Sequence, residues 1–383
     1  MYAKRAPLYV AAGGGGDVLG ALMVALTAGS MPASTHIATF AWERKRFDPQ
    51  PGPRGARDFV NLHARQEGVH EVDGQTRLRA GRSFLPDLAR ETGCKIYLLD
   101  PTDGVVGLRR QLGALADYLD ASETLVVDVG GDILARGKEP GLRSPTADAM
   151  ALAASGEVGR DTWILTLGLG LDGELSRAQW QAACRAGAQA TETELYLGPE
   201  AAGFVRELLD WHPSEVAGLA CLAALGYHGT AELRADGLRV KVDRHAAVVH
   251  RFEHSWVLAR NRIAGALQNT SSLEGIEAVV RATTGRSELD DERRMLAHGN
   301  AYLTRHLHRH ELERLEDELM AYSAQAAASH VSFLTLRRVS ELLRLAPAPF
   351  EQLRGYLAAR HPGRVQPPVW RCDISEKALE FRS

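Results

Sequence analysis

Cysteine is scarce in this sequence, and its spacing argues against two common kinds of small-domain chemistry. Four cysteines occur, at positions 94, 184, 221 and 372, and none belongs to a CxxC or CxH pair. A structural zinc site needs such closely spaced ligands, so we expect none here. The wide spacing fits reduced thiols better than a disulfide framework, which predicts a cytoplasmic protein.

The sequence also lacks a long apolar run and an excess of charge of either sign. No stretch of roughly 18 uninterrupted apolar residues occurs, so we expect no spanning helix and no membrane partner. The 45 basic and 48 acidic side chains give a net charge of −3. This balance argues against a nucleic-acid partner. We expect the partner to be a small-molecule ligand. A homo-oligomer stays open.

Two nucleotide-binding signatures are incomplete. No Gly-Lys-Ser/Thr follows the four glycines at residues 13–16, so this turn is not a phosphate-binding P-loop. It is a poor GxGxxG fingerprint as well, because Leu19 occupies the third glycine position. Glu43 follows the second apolar run in a different register from the acid that binds the ribose of NAD. NAD is therefore disfavoured as a cofactor.

Apolar runs and helical patterns alternate through the first 254 of the 383 residues. This alternation is typical of an α/β fold with a Rossmann-like, doubly wound, mostly parallel sheet. The apolar runs expected to form its strands cover residues 8–12, 35–40, 95–99, 124–129 and 162–167.

We therefore predict an α/β domain over residues 1–254. Two further runs, at residues 238–242 and 246–252, predict a hairpin or an edge pair. From residue 255 the pattern becomes helical, which predicts a mainly helical C-terminal region over residues 255–383, packed on the first domain.

Three of the predicted strands end in turns that combine glycine with acidic residues, at residues 13–17, 128–132 and 168–174. In a doubly wound sheet such turns meet at the carboxyl ends of the strands, where ligands bind. Glycine lets a ligand approach the backbone closely, and a following helix offers free N–H groups to an anion. The predicted ligand-binding residues are Gly13, Gly14, Gly15, Gly16, Gly130, Gly131, Glu139, Arg143, Ser144, Asp148, Gly168 and Gly170.

Four acidic residues of these turns are candidates for catalysis, namely Asp17, Asp132, Asp172 and Glu174. Carboxylate oxygens bind Mg²⁺ together with a ligand phosphate, and a carboxyl of raised pKa can act as a general acid or base. An ordinary role in a turn or a helix cap is the alternative for each, because aspartate is frequent at such positions. Magnesium therefore stays open as a cofactor, and no set of metal ligands is assigned.

Several motifs together resemble a known group of proteins. They lie at residues 13–21, 127–139, 142–148, 272–274 and 286–293. They are similar to an uncharacterised family, a domain of unknown function found in archaea and actinobacteria, over most of the chain. The resemblance implies a Rossmann-like α/β fold and no particular activity. Actinobacterial members can accompany natural-product gene sets, which implies a conceivable role in specialised-metabolite biosynthesis.

Three classes of function remain open from the sequence. The first is an enzyme, a transferase or hydrolase, acting on a small metabolite that carries a phosphate, nucleotide or carboxylate. The second is a regulatory protein that binds a nucleotide or metabolite at the same turns without converting it. The third is an interaction protein that uses the charged helices after residue 255. We take the enzyme as the leading hypothesis, because three turns of the same kind are expected at one edge of the sheet.

Overall fold

The computed structural model describes residues 5–156, 158–187, 195–298 and 302–373. Within these ranges the chain has a mixed α/β fold. Its strands are β1 (Leu8–Ala11), β2 (His36–Thr39), β3 (Phe59–Val60), β4 (His63–Gln66), β5 (Val69–Val72), β6 (Arg77–Leu78), β7 (Lys95–Leu98), β8 (Thr124–Val129), β9 (Thr162–Leu167), β10 (Leu195–Tyr196), β11 (Gly229–Leu233), β12 (Leu238–Val242), β13 (Val248–Glu253), β14 (Phe333–Thr335), β15 (Val365–Gln366) and β16 (Val369–Arg371).

The helices alternate with these strands in the first part of the chain and dominate after β13. They are α1 (Asp17–Thr27), α2 (Leu85–Thr92), α3 (Gly104–Tyr118), α4 (Thr146–Ser155), α5 (Arg177–Gly187), α6 (Pro199–Leu208), α7 (Val216–Ala224), α8 (His254–Arg260), α9 (Arg262–Leu267), α10 (Leu273–Thr284), α11 (Glu288–His298), α12 (Arg309–Ala328), α13 (Leu336–Leu342) and α14 (Pro347–Arg360). In the described part of the chain, no helix is both long and apolar enough to cross a lipid bilayer.

The main sheet has nine strands among the described residues, in the order β10-β13-β9-β8-β1-β2-β7-β5-β4. Its five central strands, from β9 to β7, are parallel to one another. Antiparallel strands extend the sheet on both sides. The prediction of an α/β fold with a mostly parallel sheet is therefore confirmed.

The central strands are buried on both faces because each face packs against its own hydrophobic cluster. In β1, Tyr9 and Ala11 belong to one cluster, with side chains of α1, α6 and α7. Leu8 and Val10 belong to the other, with side chains of α3, α4 and α9. Side chains alternate between the faces of a strand, so an all-apolar strand such as β1 needs cover on both.

A second sheet contradicts the predicted pairing of residues 238–242 with residues 246–252. Strand β12 pairs with β11, whereas β13 joins the main sheet beside β9. The short charged turn between the two runs suggested a hairpin, but β11 pairs with all five residues of β12 and leaves β13 to pair with β9. The order of the second sheet is β12-β11-β14-β16-β15, so it combines strands from both sides of residue 254. The division of the chain into domains at that residue stays a prediction.

Candidate functional site

Acidic residues gather at the carboxyl ends of three neighbouring parallel strands. Asp17 is the first residue of α1 and follows the glycine turn after β1. Asp128 lies within β8 and Asp132 comes shortly after it, while Asp172 and Glu174 follow β9. Because β8 lies between β1 and β9 in the sheet, these side chains meet at one edge.

The carboxyl groups form two sets of three, and in each set one oxygen per residue lies within 4.8 Å of the others. Some of these oxygens are buried and make no hydrogen bond within the described structure. They are both carboxyl oxygens of Asp128, Oδ1 of Asp148 and Oδ2 of Asp172. A buried acceptor without a partner costs about 1–3 kcal/mol, so cations are the ligands this geometry favours. The two sets are Asp17 with Asp128 and Asp148, and Asp132 with Asp172 and Glu174.

Burial and mutual repulsion raise the pKa of these carboxyl groups. Burial, joined by repulsion from Asp17 and Asp172, raises the pKa of Asp128 well above its ordinary value. The pKa values of Asp132 and Asp148 are raised in the same way, chiefly by burial. Burial raises the pKa of Asp17 and that of Asp172 to about 7 each. Protons therefore compete with cations for this site at neutral pH.

Two of the predicted ligand-binding glycines make room for the protein's own acids. Oδ2 of Asp17 accepts hydrogen bonds from the N–H of Gly13 at 3.0 Å and of Val129 at 3.2 Å. A Cβ atom on Gly13 would lie 2.7 Å from that same oxygen. Gly130 has a φ of +132°, and a Cβ there would lie 2.6 Å from Oδ2 of Asp172. Glycine at these positions is required for the packing of the carboxylates, whatever ligand the site takes.

Glu174 fixes the loop that leads into α4. Its Oε2 accepts from the backbone N–H of Arg143 at 2.7 Å and of Ser144 at 3.0 Å, and its Oε1 accepts from the Ser144 hydroxyl at 2.5 Å. Arg234 lies 3.5 Å from Oε1. The guanidinium of Arg143 is paired with Asp236 at 2.7 Å, so the predicted anion-binding arginine already has a partner at the rim.

Glu288, the first residue of α11, borders the site on the side of that helix. Its Oε2 accepts from the backbone N–H of Thr146 at 3.1 Å, which caps the first turn of α4. Burial raises the pKa of Glu288 to about 8, so this carboxyl keeps a proton at neutral pH.

Arginines face the carboxyl groups from the opposite side. Arg44 and Arg337 both pair with Glu215, at 3.3 and 3.0 Å. Burial alone would raise the pKa of Glu215, but the two guanidinium groups lower it to about 2. Burial, joined by the charge of Arg337, lowers the pKa of Arg44 to about 10. We call Arg44 and Arg337 the arginine wall.

A cavity of about 650 Å³ lies between the acidic side chains and the arginine wall. This volume is within the range of small-molecule sites. Residues 13–16 line it, as do Trp42, Glu43, Asp132, Asp148 and Asp172. One side of the cavity therefore suits cations, and the other suits an anion.

The structure brings together most of the predicted site residues but not all of them. Glu139 lies outside the lining of this cavity and accepts hydrogen bonds from the N–H groups of residues 136–138 in its own loop. The N–H of Gly168 donates to the Ala246 carbonyl, and that of Gly170 donates to the Gly130 carbonyl. Both N–H groups are therefore already used in hydrogen bonds within the protein backbone. Gly131 also lies outside the lining, and a Cβ there would meet Leu169 at 2.4 Å.

Sequence reasoning missed several residues of the site. Asp128 had a readable signal, since a charged residue in the middle of a fully buried apolar strand needs a reason. Glu288 lies in a stretch that resembled the family, but no role was assigned to it. His212, Arg44 and Arg337 come from distant parts of the chain, and their positions carry no pattern that predicts this meeting.

Comparison with known proteins adds a family but no activity. The searches of curated proteins and of solved structures found no match. A family model does match, over residues 8–296, a range that includes both sets of carboxyl groups and Glu288. This confirms the resemblance to an uncharacterised family. The chain belongs to the family described as protein of unknown function DUF1152.

Proposed function

We propose that this protein is a divalent-cation-dependent enzyme that hydrolyses a phosphorylated small molecule. The observation that carries the proposal is the pair of carboxyl sets, in each of which at least one buried oxygen lacks a hydrogen-bond partner. Two adjoining sets of three carboxylates suit a pair of Mg²⁺ or Mn²⁺ ions, and such a pair stabilises the attacking and leaving oxygens of phosphoryl transfer.

The arginine wall supports a phosphate as the substrate group. Cations held by the carboxylates would attract one side of a phosphate, and Arg44 and Arg337 would attract the other. The glycine turn at residues 13–16 precedes α1, and the N-terminus of this helix adds a favourable dipole for an anion. A carboxylate substrate would leave most of these groups unused.

The proposed reaction consumes one water molecule. The water oxygen bonds to phosphorus, its proton passes to a carboxylate of the site, and the bond from phosphorus to the leaving alcohol oxygen breaks. The leaving oxygen takes a proton from Glu288, which we assign to this role because it lines the cavity and keeps a proton at neutral pH. The products are inorganic phosphate and the free alcohol.

We also infer that the main sheet is of the Rossmann-like, doubly wound type. The order of its parallel strands, β7-β2-β1-β8-β9, reverses between β1 and β8. Ligands of doubly wound sheets bind where the strand order reverses, and this is where Asp17 and Asp128 meet. The fold type and the position of the site therefore support each other.

The test combines cation binding with turnover, using the full chain. Titration calorimetry with Mn²⁺ at pH 8 should detect binding, and Asp132→Asn should weaken it at least tenfold. Release of inorganic phosphate from p-nitrophenyl phosphate and from sugar phosphates should require Mg²⁺ or Mn²⁺. Asp117→Asn is the matched control, because this substitution removes the same charge from a residue that is exposed on α3.

Two results would overturn the proposal. One is the absence of divalent-cation binding, or binding that Asp132→Asn leaves unchanged. The other is binding of cation and phosphate ester without release of phosphate, which would favour the regulatory protein instead.

A further inference from the structure

A second cavity adjoins the first and has a different chemistry. Its volume is about 260 Å³. Arg44, Phe47, His212 and Arg337 line both cavities, so the two spaces lie side by side. We call this second space the aromatic cavity, after the lining side chains Phe47, Phe84, Trp211, His212 and Phe350.

The rings of the aromatic cavity are packed around Phe84. Phe47 meets it edge-on, with 5.0 Å between ring centroids and an interplanar angle of 83°. The ring of His212 lies 5.3 Å from Phe84, and that of Trp211 lies 6.4 Å from it. Phe84 is buried, so its contacts with these rings hold one wall of the cavity together. Aromatic side chains of this kind bind flat rings by stacking.

His212 is the polar group of the aromatic cavity that most clearly needs a partner. It is only 2% exposed, and its ring makes no hydrogen bond of normal geometry, although a weak one to the backbone of Gly15 acts on its pKa. Burial and the nearby charge of Arg44 lower the pKa of His212 to about 3, so the ring is neutral at physiological pH. A neutral imidazole offers one donor and one acceptor, which suits a ring that carries both.

Arg46 adds a second polar group beside the rings. Its guanidinium lies 5.3 Å from the centroid of Phe47, and its Nη1 donates to the Ser340 hydroxyl at 2.5 Å. Its Nε is buried and makes no hydrogen bond. The cavity therefore joins aromatic rings to polar side chains whose hydrogen-bonding capacity is not fully used, a combination that suits a heteroaromatic ring better than a hydrocarbon.

We propose that the aromatic cavity binds the base of a nucleotide whose phosphate lies between the carboxylates and the arginine wall. This inference rests on the proposed function, because the phosphate site fixes the other end of the ligand. It narrows the substrate class from phosphorylated small molecules to nucleoside phosphates.

The experiment compares ligands that share the sugar phosphate and differ in the base. Dissociation constants of ribose 5-phosphate and of the four ribonucleoside 5′-monophosphates are measured by calorimetry with the full chain and Mg²⁺. Phosphate release from each compound is measured in parallel. At least one nucleotide should bind ten times more tightly than ribose 5-phosphate. Trp211→Leu should lower the affinity for that nucleotide about tenfold.

Trp163→Leu is the matched control for the loss of a tryptophan. Trp163 is also partly buried, but it lies on β9 against Arg251, outside the aromatic cavity. The comparison between compounds needs only the unaltered protein, so it stands even if Trp211→Leu fails to fold.

The outcomes separate the two proposals. If ribose 5-phosphate binds and is hydrolysed as well as every nucleotide, the base site is wrong and the proposed function stands. If a nucleotide binds more tightly but releases no phosphate, the base site stands and hydrolysis is wrong. If neither kind of compound binds in the presence of Mg²⁺, both proposals fail.

Discussion

At the scale of single residues, the site depends on how closely carboxylates can pack against the backbone. Gly13 and Gly130 each place an acid within 3 Å of where a side chain would begin. Their positions look like those of ligand-binding glycines, but the nearest neighbours are Asp17 and Asp172. These glycines therefore contribute to the site indirectly, because they leave room for the carboxyl groups of the two acids.

Gly130→Ala should be strongly destabilising for two separate reasons. Its φ of +132° is unfavourable for any other residue, and the new Cβ would displace the carboxyl of Asp172. We expect a loss of about 2–4 kcal/mol in the free energy of unfolding, with weaker Mn²⁺ binding. Urea denaturation and calorimetry measure the two effects.

A comparison with Gly226→Ala separates the effect of the positive φ from the displacement of Asp172. Gly226 also has a positive φ, of +87°, but nothing lies within 4 Å of the position its Cβ would take. This variant should lose only about 1 kcal/mol and keep its affinity for Mn²⁺. Equal losses in the two variants would show that Asp172 is not held against Gly130.

At the scale of elements, α11 is connected to α4 through one carboxyl group. Helix α4 is buried at every residue, and the backbone N–H of Thr146 in its first turn donates to Glu288. A buried helix start needs such a partner, because its first N–H groups have none within the helix. Glu288 therefore has a structural role in addition to the chemical one proposed for it.

Substitutions of Glu288 should separate these two roles. Glu288→Ala removes the acceptor for the Thr146 N–H and should cost about 1 kcal/mol of stability. Glu288→Gln keeps an acceptor and should stay within about 0.5 kcal/mol of the natural protein. Both variants should lose phosphate release, because neither holds a proton for the leaving oxygen. Chemical denaturation gives the stabilities, and a Glu288→Gln variant with full activity would contradict the assignment.

Elements were easier to predict from the sequence than their pairings. The five central strands follow from continuous apolar runs, which depend on local residues. The partner of β12 cannot be predicted in this way, because β11 and β13 are both near it in the chain. The acids of the turns were found because they follow strands. The arginine wall was not found, because Arg44 and Arg337 meet only through the tertiary fold.

At the scale of the whole molecule, stability should depend on pH in an unusual direction. Asp17 and Asp172 have a pKa of about 7, and Glu288 has one of about 8. In the unfolded chain such groups titrate near 4, so folding favours their protonated forms. The resulting stabilisation is complete below pH ~4 and is lost as the pH rises through 7 to 8.

The metal-free protein should therefore unfold at a lower temperature at pH 8.5 than at pH 5.5, by at least about 3 °C. Mg²⁺ should raise the midpoint more at pH 8.5, where the carboxyl groups have lost their protons. Differential scanning calorimetry at the two pH values, with and without Mg²⁺, measures this. An equal effect of Mg²⁺ at both values would contradict the coupling between protons and cations.

The pairing of Arg337 with Glu215 has a consequence for the order in which the site can form during synthesis. The strands that carry the acids lie within the first 174 residues, whereas α13, which carries Arg337, lies near the end of the chain. Domains fold broadly from the N-terminus as a chain emerges from the ribosome. A nascent chain can therefore assemble its acidic side well before Arg337 completes the arginine wall. Until α13 arrives, Glu215 is without one of its two guanidinium partners, and the cavity is open on that flank.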